Sequence, residues 1–162
     1  MEIEVRIRGL MMDPSTNMPI VVLKDAASDT VMPIWVGLFE ANAIAVEIEK
    51  VAPPRPMTHD LIRNLVGYLN ARLERVVITE IKNDTFHALL WLRQGTDLVS
   101  VDVRPSDAIA LAMRADCPIF VTEEVFQAAK LNTTGPPEGP TAEQLRQWLE
   151  GLNDEDLGRY KM

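Results

Sequence analysis

The 162-residue sequence has few of the residues that form the commonest covalent and metal sites. It contains one cysteine, Cys117, and two histidines, His59 and His87. A single cysteine excludes an internal disulfide, and its apolar neighbours predict a buried, unreactive thiol. Two histidines far apart and in unlike settings argue against a ribonuclease mechanism based on a histidine pair. The phosphate loop GxxxxGK[ST], the nucleophile elbow, a CxxC pair and the HExxH zinc motif are all absent.

Long apolar runs are also missing. No run approaches the ~20 residues needed to cross a bilayer. The first eight residues alternate between charged and aliphatic side chains and lack the apolar core of a signal peptide. We therefore expect a cytoplasmic protein that makes no use of a membrane.

Positive charge is scarce, and this limits contact with nucleic acid. The net charge is −8; residues 1–131 hold 18 acids and 13 bases, and residues 132–162 hold 6 acids and 3 bases. Duplex binding by counterion release needs a basic face, and the sequence has no basic run. The composition therefore excludes a DNA-coating protein and leaves nucleic-acid contact to a local arginine cluster or a bridging metal.

The patterns that are present predict an α+β domain over residues 1–131. Period-two alternation or short apolar runs between turn residues predict strands at 3–8, 20–25, 30–36, 75–81, 86–92, 98–103 and 118–121. Four helices are predicted. The first spans 38–51, and the second begins at an N-cap at Thr58 and carries an apolar stripe that ends at Leu73. The third runs from an N-cap at Ser106 to 115, and the fourth from Thr122 to about 130.

An internal repeat is visible in the order of these elements. Residues 3–50 and 75–115 both read as three strands and a helix, and "NAIAV" (42–46) matches "DAIAL" (107–111) at the same offset of 65. We predict two pseudo-repeated βββα halves with mixed or antiparallel sheets. Their helices should be central, because a helix that is apolar all round must be buried. The alternative is chance similarity between two alanine-rich helices.

The end of the chain differs in composition from the rest. "NTTGPPEGP" (132–140) is typical of a Pro/Gly linker. Residues 141–162 predict a short, acidic helical tail whose narrow apolar stripe docks either on its own domain or on a partner. A homodimer is an open expectation, since small domains with such apolar helices often associate.

The segment "RPMTHDL" (55–61) is the first candidate site. A helix N-terminus presents unpaired amide hydrogens that suit phosphate, Arg55 suits bidentate phosphate binding, and an imidazole such as that of His59 can transfer a proton near neutral pH. In the alternative reading, Thr58 caps the helix, Asp60 offsets the helix dipole and His59 is an exposed first-turn residue.

The second candidate is the end of the last strand in the second half. Here "RP" at 104–105 is followed by the hydroxyl residue Ser106 and by Asp107. The first candidate has the same order of "RP", a hydroxyl residue and an aspartate. Glu40 occupies the matching first turn in the first half. The alternatives are ordinary helix-start chemistry for Ser106 and Asp107, dipole placement for Glu40, and a simple ion pair for Arg104.

Three blocks in this sequence resemble a known family. "MPIWVGLFEANAIA" (32–45), "PPRPMTHDLI" (53–62) and "VRPSDAIALAMRADCPIFV" (103–121), in this order and spacing, resemble the bifunctional nuclease domain family of bacteria and plants. The resemblance covers about residues 3–131. It implies an α+β domain and, for some members, cleavage of both RNA and DNA. Carried over block by block, it indicates as functional positions Glu40, Arg55, His59, Asp60, Arg104, Ser106 and Asp107.

The resulting hypothesis is metal-assisted hydrolysis of nucleic-acid phosphodiesters. Glu40, Asp60 and Asp107 would hold a divalent ion such as Mg²⁺ or Mn²⁺. Arg55 and Arg104 would bind phosphate, and the catalytic set would comprise His59, Asp60, Arg104, Ser106 and Asp107. The hypothesis requires these side chains to converge around one concavity, and the acidic composition predicts weak substrate binding.

Two other functions fit the same residues. One is a non-catalytic acidic regulatory module that binds a ligand or protein partner through the cleft or the tail. The other is an enzyme that acts on a phosphorylated metabolite.

Overall fold

The computed structural model describes residues 1–130, which form one seven-stranded sheet and four helices. In chain order the elements are β1 (Glu2–Met12), β2 (Pro19–Asp25), β3 (Val31–Trp35), α1 (Leu38–Ile48), α2 (Thr58–Tyr68), β4 (Ala71–Lys82), β5 (Thr85–Gln94), β6 (Asp97–Val103), α3 (Pro105–Ala115), β7 (Ile119–Thr122) and α4 (Glu123–Ala129). The predicted α+β class is confirmed. The linker at 132–140 and the tail at 141–162 lie outside the described residues.

The sheet joins two antiparallel meanders through one short strand. Its order is β3-β2-β1-β7-β4-β5-β6, so each meander occupies one side of β7. β7 runs antiparallel to β1 and parallel to β4. The two sets of three strands therefore form a single mixed sheet, and each set is followed by a helix or helix pair. A pseudo-twofold relation between the halves stays a prediction.

The sequence predicts that both apolar helices are central, and this is confirmed for α3, whereas α1 is buried on one side only and exposes Leu38 and Phe39 in its first turn. α1 and α3 contact each other, and Ile44 and Ile109 are fully buried. In α3 every residue from Ala108 to Ala112 is buried. The alanines of both helices let the two backbones approach closely, and each fully buried isoleucine contributes about 1.5–3 kcal/mol. Because α3 is surrounded by other parts of the domain, its middle needs no polar face.

The predicted end of the second helix is wrong. α2 ends at Tyr68, and Asn70 takes a left-handed conformation with φ of 58°. Asparagine tolerates this conformation and commonly ends helices in this way. Leu73 then lies in β4, where it is buried. The predicted apolar stripe is therefore not one continuous buried face. Leu73 is buried in the sheet, whereas Leu61 and Leu65 are exposed on the outside of α2.

Two helix starts also differ from the prediction. The N-cap of α3 is Arg104, with Pro105 in the first turn, so Ser106 lies inside the helix and does not cap it. Proline fits the first helical position because its missing N–H would have no partner there. The N-cap of α2 is Met57, whose backbone N–H donates to Asp60 Oδ2 at 2.9 Å. Met57 therefore takes the N-cap position expected of Thr58, and Asp60 supplies the reciprocal contact to the N-cap amide.

Two further sequence predictions concern Cys117 and the membrane. Cys117 is partly buried, and burial raises the pKa of its thiol to about 11, which keeps it protonated and unreactive at neutral pH. None of the helices in residues 1–130 combines the length and apolarity that crossing a bilayer requires.

The central strand β4 offers a matched pair of substitutions that tests this core. Ile78 is 0% exposed and Ile81 is 37% exposed. We expect Ile78→Ala to lower the free energy of unfolding by about 2–5 kcal/mol, because it leaves a cavity in a packed core. Ile81→Ala should cost at most about 1 kcal/mol, the range of strand propensity. Equal losses in urea-induced unfolding would contradict the described packing.

Candidate functional site

A cleft of about 590 Å³ lies where α1, α2, α3 and β6 meet. Its walls are mainly apolar, and they include the exposed side chains of Phe39 and Met57 at its edge and the buried Leu90 and Leu111 inside. Most of its polar groups lie near the starts of the helices: Glu40, Asn42, Thr58, His59, Arg104 and Asp107. The other two are Asp102 in β6 and Arg114 in the last turn of α3.

Asp107 is the central group of this polar cluster. Its Oδ1 lies 2.9 Å from His59 Nε2, and its Oδ2 accepts a hydrogen bond from Arg104 Nε at 2.8 Å. His59 is a buried first-turn residue of α2, so the alternative reading of an exposed histidine is wrong. The first turns of α2 and α3, 48 positions apart in sequence, are thereby joined through one carboxylate.

Arg104 is held by a second carboxylate from the other half of the molecule. Its Nη2 lies 2.8 Å from Glu40 Oε1, while its side chain remains 66% exposed. Within residues 1–130, Nη1 has no hydrogen-bonding partner. The guanidinium is therefore fixed on two edges and presents its remaining N–H groups to solvent.

The ion pairs determine the protonation of both groups. Burial alone would raise the pKa of Asp107, but the hydrogen bonds from Arg104 and His59 outweigh it and hold that pKa below its ordinary value. The hydrogen bond to Asp107, and then its charge, raise the pKa of Arg104. Asp107 is consequently a carboxylate and Arg104 a cation at any physiological pH.

Arg114 is a residue of the cleft that the sequence analysis missed. Its side chain is 1% exposed, and it donates to Asp60 Oδ1 at 2.9 Å, to the Ala110 carbonyl at 2.8 Å and to the Ala43 carbonyl at 3.0 Å. These three partners belong to α2, α3 and α1. The available signal was the single charge that follows the apolar run of α3, at a position where a core residue would be expected.

The structure brings together four of the predicted site residues and separates three. Glu40, His59, Arg104 and Asp107 surround one end of the cleft. The other three lie elsewhere. Arg55 is exposed and does not line the cleft, and Ser106 lines a neighbouring cavity of about 350 Å³. The carboxylate of Asp60 accepts hydrogen bonds from Arg114 and from the Met57 amide. The predicted convergence therefore holds for His59, Arg104 and Asp107 but not for Arg55.

The proposed metal ligands do not form a metal site in this arrangement. Residues 1–130 contain no group of three or more His, Cys, Asp or Glu side chains placed to hold a metal ion. The guanidinium of Arg104 lies between Glu40 and Asp107, and Asp60 is taken by Arg114. A divalent ion bound by these carboxylates would have to displace both guanidiniums, so the metal role of Glu40, Asp60 and Asp107 stays a prediction.

The buried cation at the helix junction can be tested by substitution. We expect Arg114→Met to lower the free energy of unfolding by about 3–5 kcal/mol, because it leaves the Asp60 carboxylate and two carbonyls without their partner. Arg63→Met on the exposed face of α2 is the matched control and should change stability by about 0.5 kcal/mol or less. Similar urea midpoints for the two variants would refute the role assigned to Arg114.

The lowered pKa of Asp107 gives a prediction about pH. A carboxyl whose pKa is lower in the folded state contributes stability above its unfolded pKa and loses it as pH falls through the folded value. We expect Asp107→Asn to be less stable than wild type by about 1.5–3 kcal/mol at pH 6. The difference should begin to shrink as pH falls below the ordinary value of 3.8. Urea titrations at several pH values check this, and a difference that grows towards acid would contradict it.

Comparison with known proteins identifies the family of this chain. The family described as "Bifunctional nuclease domain" matches residues 21–134. An uncharacterised protein of Mycobacterium tuberculosis is 37% identical over 162 residues, which cover 95% of this chain and 97% of that protein. The protein named "Bifunctional nuclease 1" is 25% identical over 127 residues in Oryza sativa subsp. indica and 26% identical over 130 residues in Arabidopsis thaliana. The match covers 76% and 73% of this chain but only 38% and 40% of those plant proteins. The chain therefore belongs to the bifunctional nuclease domain family.

Proposed function

We propose that this protein hydrolyses phosphodiester bonds of RNA or DNA in the cleft between α1, α2 and α3. The observation that carries the proposal is the carboxylate of Asp107, which bonds a histidine with one oxygen and an exposed arginine with the other. A proton-transfer group and an anion-binding group are thus held next to each other. Membership of a nuclease family supports the same chemistry.

His59 acts as the general base in this proposal. Its Nε2 is 2.9 Å from the ionised Asp107, which favours the tautomer with hydrogen on Nε2. Nδ1 then carries the free lone pair and takes a proton from the attacking water. Asp107 stabilises the imidazolium that forms, and the leaving oxygen recovers a proton from it. Since Ser106 lies in the neighbouring cavity, water is the nucleophile that this arrangement favours.

Arg104 binds the phosphate. Its free N–H groups form a fork that matches two phosphate oxygens, and Glu40 and Asp107 hold that fork in place before substrate arrives. The two carboxylates also offset its charge, so binding is weak and the product leaves readily. Arg55, exposed before the start of α2, contacts the strand outside the cleft.

A non-catalytic partner-binding module is the second candidate. It is favoured by an exposed apolar stripe on α2 that no other described element covers. The stripe consists of Leu61, Leu65 and Tyr68 in α2 and of Leu69, which directly follows the helix. This candidate predicts no turnover of any nucleic acid.

The test is a nuclease assay of the full chain on labelled single-stranded RNA and DNA. We expect His59→Ala and Asp107→Ala to lower the rate by about 10²–10⁴-fold, the contribution of a positioned acid or base. His87→Ala, which removes the other histidine from near the start of β5, is the matched control and should retain wild-type activity. Arg104→Ala should raise KM because the phosphate loses its fork.

Two outcomes would end the proposal. Equal residual cleavage by wild type and Asp107→Ala would identify a contaminating nuclease. Absence of cleavage with Mg²⁺, with Mn²⁺ and with EDTA would favour the partner-binding module. Cleavage that is lost in EDTA would support the metal assistance predicted from the sequence.

A further inference from the structure

We propose that the substrate is single-stranded, with two consecutive unpaired bases occupying two cavities on either side of Arg104. This inference deepens the proposed function and rests on it. It concerns which form of nucleic acid enters the site and which residues recognise its bases.

Arg104 lines two cavities. One is the cleft of about 590 Å³, and the other is the cavity of about 350 Å³ that also contains Ser106. Both volumes fall in the range of about 300–1,000 Å³ that is typical of small-ligand sites. A phosphate on the exposed guanidinium would therefore border two open recesses, one for each of the nucleosides that it joins.

Each cavity has one exposed aromatic side chain, and both come from the same short segment. Trp35 ends β3 and lines the smaller cavity at 46% exposure; Phe39 lies in the first turn of α1 and lines the larger one at 89% exposure. The indole Nε1 of Trp35 donates to Asp13 Oδ2 at 3.0 Å, which fixes its ring. Burial alone would raise the pKa of Asp13, but hydrogen bonds from Ser15 and Trp35 lower it to about 2, so this anchor stays charged.

The acidic charge of the domain makes base contacts necessary. Residues 1–131 carry a net charge of −5, and Arg104 is offset by Glu40 and Asp107. Phosphate contacts therefore cannot supply much affinity, in contrast to proteins that track the backbone of a strand. Stacking of a base on an aromatic side chain contributes about 1–3 kcal/mol and tolerates any sequence. Two such contacts would replace the missing basic surface.

A duplex cannot use these contacts. Its bases cover each other's faces, and they present only their edges in the grooves. Stacking on Phe39 or Trp35 needs bases that have left the stack, as in a single strand. The apolar walls of the larger cavity suit the face of a base better than a charged backbone.

The test measures binding and cleavage separately. Fluorescence anisotropy of the full chain is recorded with a labelled eight-nucleotide DNA strand, the matching hairpin duplex, and a strand of eight abasic residues with the same phosphates. We expect the single strand to bind at least 10-fold tighter than either of the other two. Phe39→Ala should weaken single-strand binding by about 5–100-fold, while Phe39→Trp retains it.

Tyr68→Ala is the matched control. Tyr68 is an exposed aromatic on α2 that lines neither cavity, and its removal should leave the affinity unchanged. Equal affinity for the three ligands, or loss of affinity in Tyr68→Ala but not in Phe39→Ala, overturns the inference. So does a Phe39→Ala variant that changes only the oligomeric mass, because the exposed ring would then be a contact between copies of the chain.

Failure of this inference is distinguishable from failure of the proposed function. If every strand is cleaved at the same rate and bound with the same affinity, hydrolysis stands and base recognition is refuted. If no strand is cleaved but the binding differences appear as expected, base recognition stands and hydrolysis is refuted.

Discussion

The buried guanidinium of Arg114 is the contact on which the arrangement of the cleft depends. It reaches a carbonyl of α1, a carbonyl of α3 and the carboxylate of Asp60 at the start of α2. A buried charge is tolerated only where its partners are fixed in good geometry. The three helices are therefore held in one relative position, and Asp60 in turn holds the N–H of Met57 at the first turn of α2. The position of His59 follows from this.

The packing of the helices also brings charged side chains together at one end of the cleft. At the mouth of the cleft Glu40 and Asp107 share the guanidinium of Arg104, and Asp107 also holds His59. This network keeps Asp107 ionised and Arg104 charged and fixes their orientations, but it leaves little net positive charge. In the proposed function, such a site would orient a bound phosphate without binding it tightly. Affinity would then come from the apolar walls and the exposed aromatic rings, as the further inference proposes.

Much of the framework could be predicted from sequence because local patterns determine it. Period-two alternation and short apolar runs between turn residues located the strands, and the unbroken apolar run of α3 predicted a central helix. The errors arose where two local rules competed. The helical spacing of apolar residues in α2 continues past Tyr68 in the sequence. The left-handed conformation of Asn70 nevertheless ends the helix, and Leu73 lies in β4. At the start of α3, the proline rule prevailed over the capping preference of Ser106.

For the candidate site, too, one part could be predicted from the sequence and another part could not. The sequence by itself determined the candidate residues other than Arg114, since charged groups and a histidine at helix starts stand out against apolar surroundings. It also implied the family through three local blocks. Only the tertiary structure decided that Glu40, His59, Arg104 and Asp107 meet, that Asp60 faces Arg114, and that Arg55 remains outside. The physical reason is that helix-start chemistry depends on neighbours within one turn. Partners 48 or 54 residues apart are chosen by how the helices pack on the sheet.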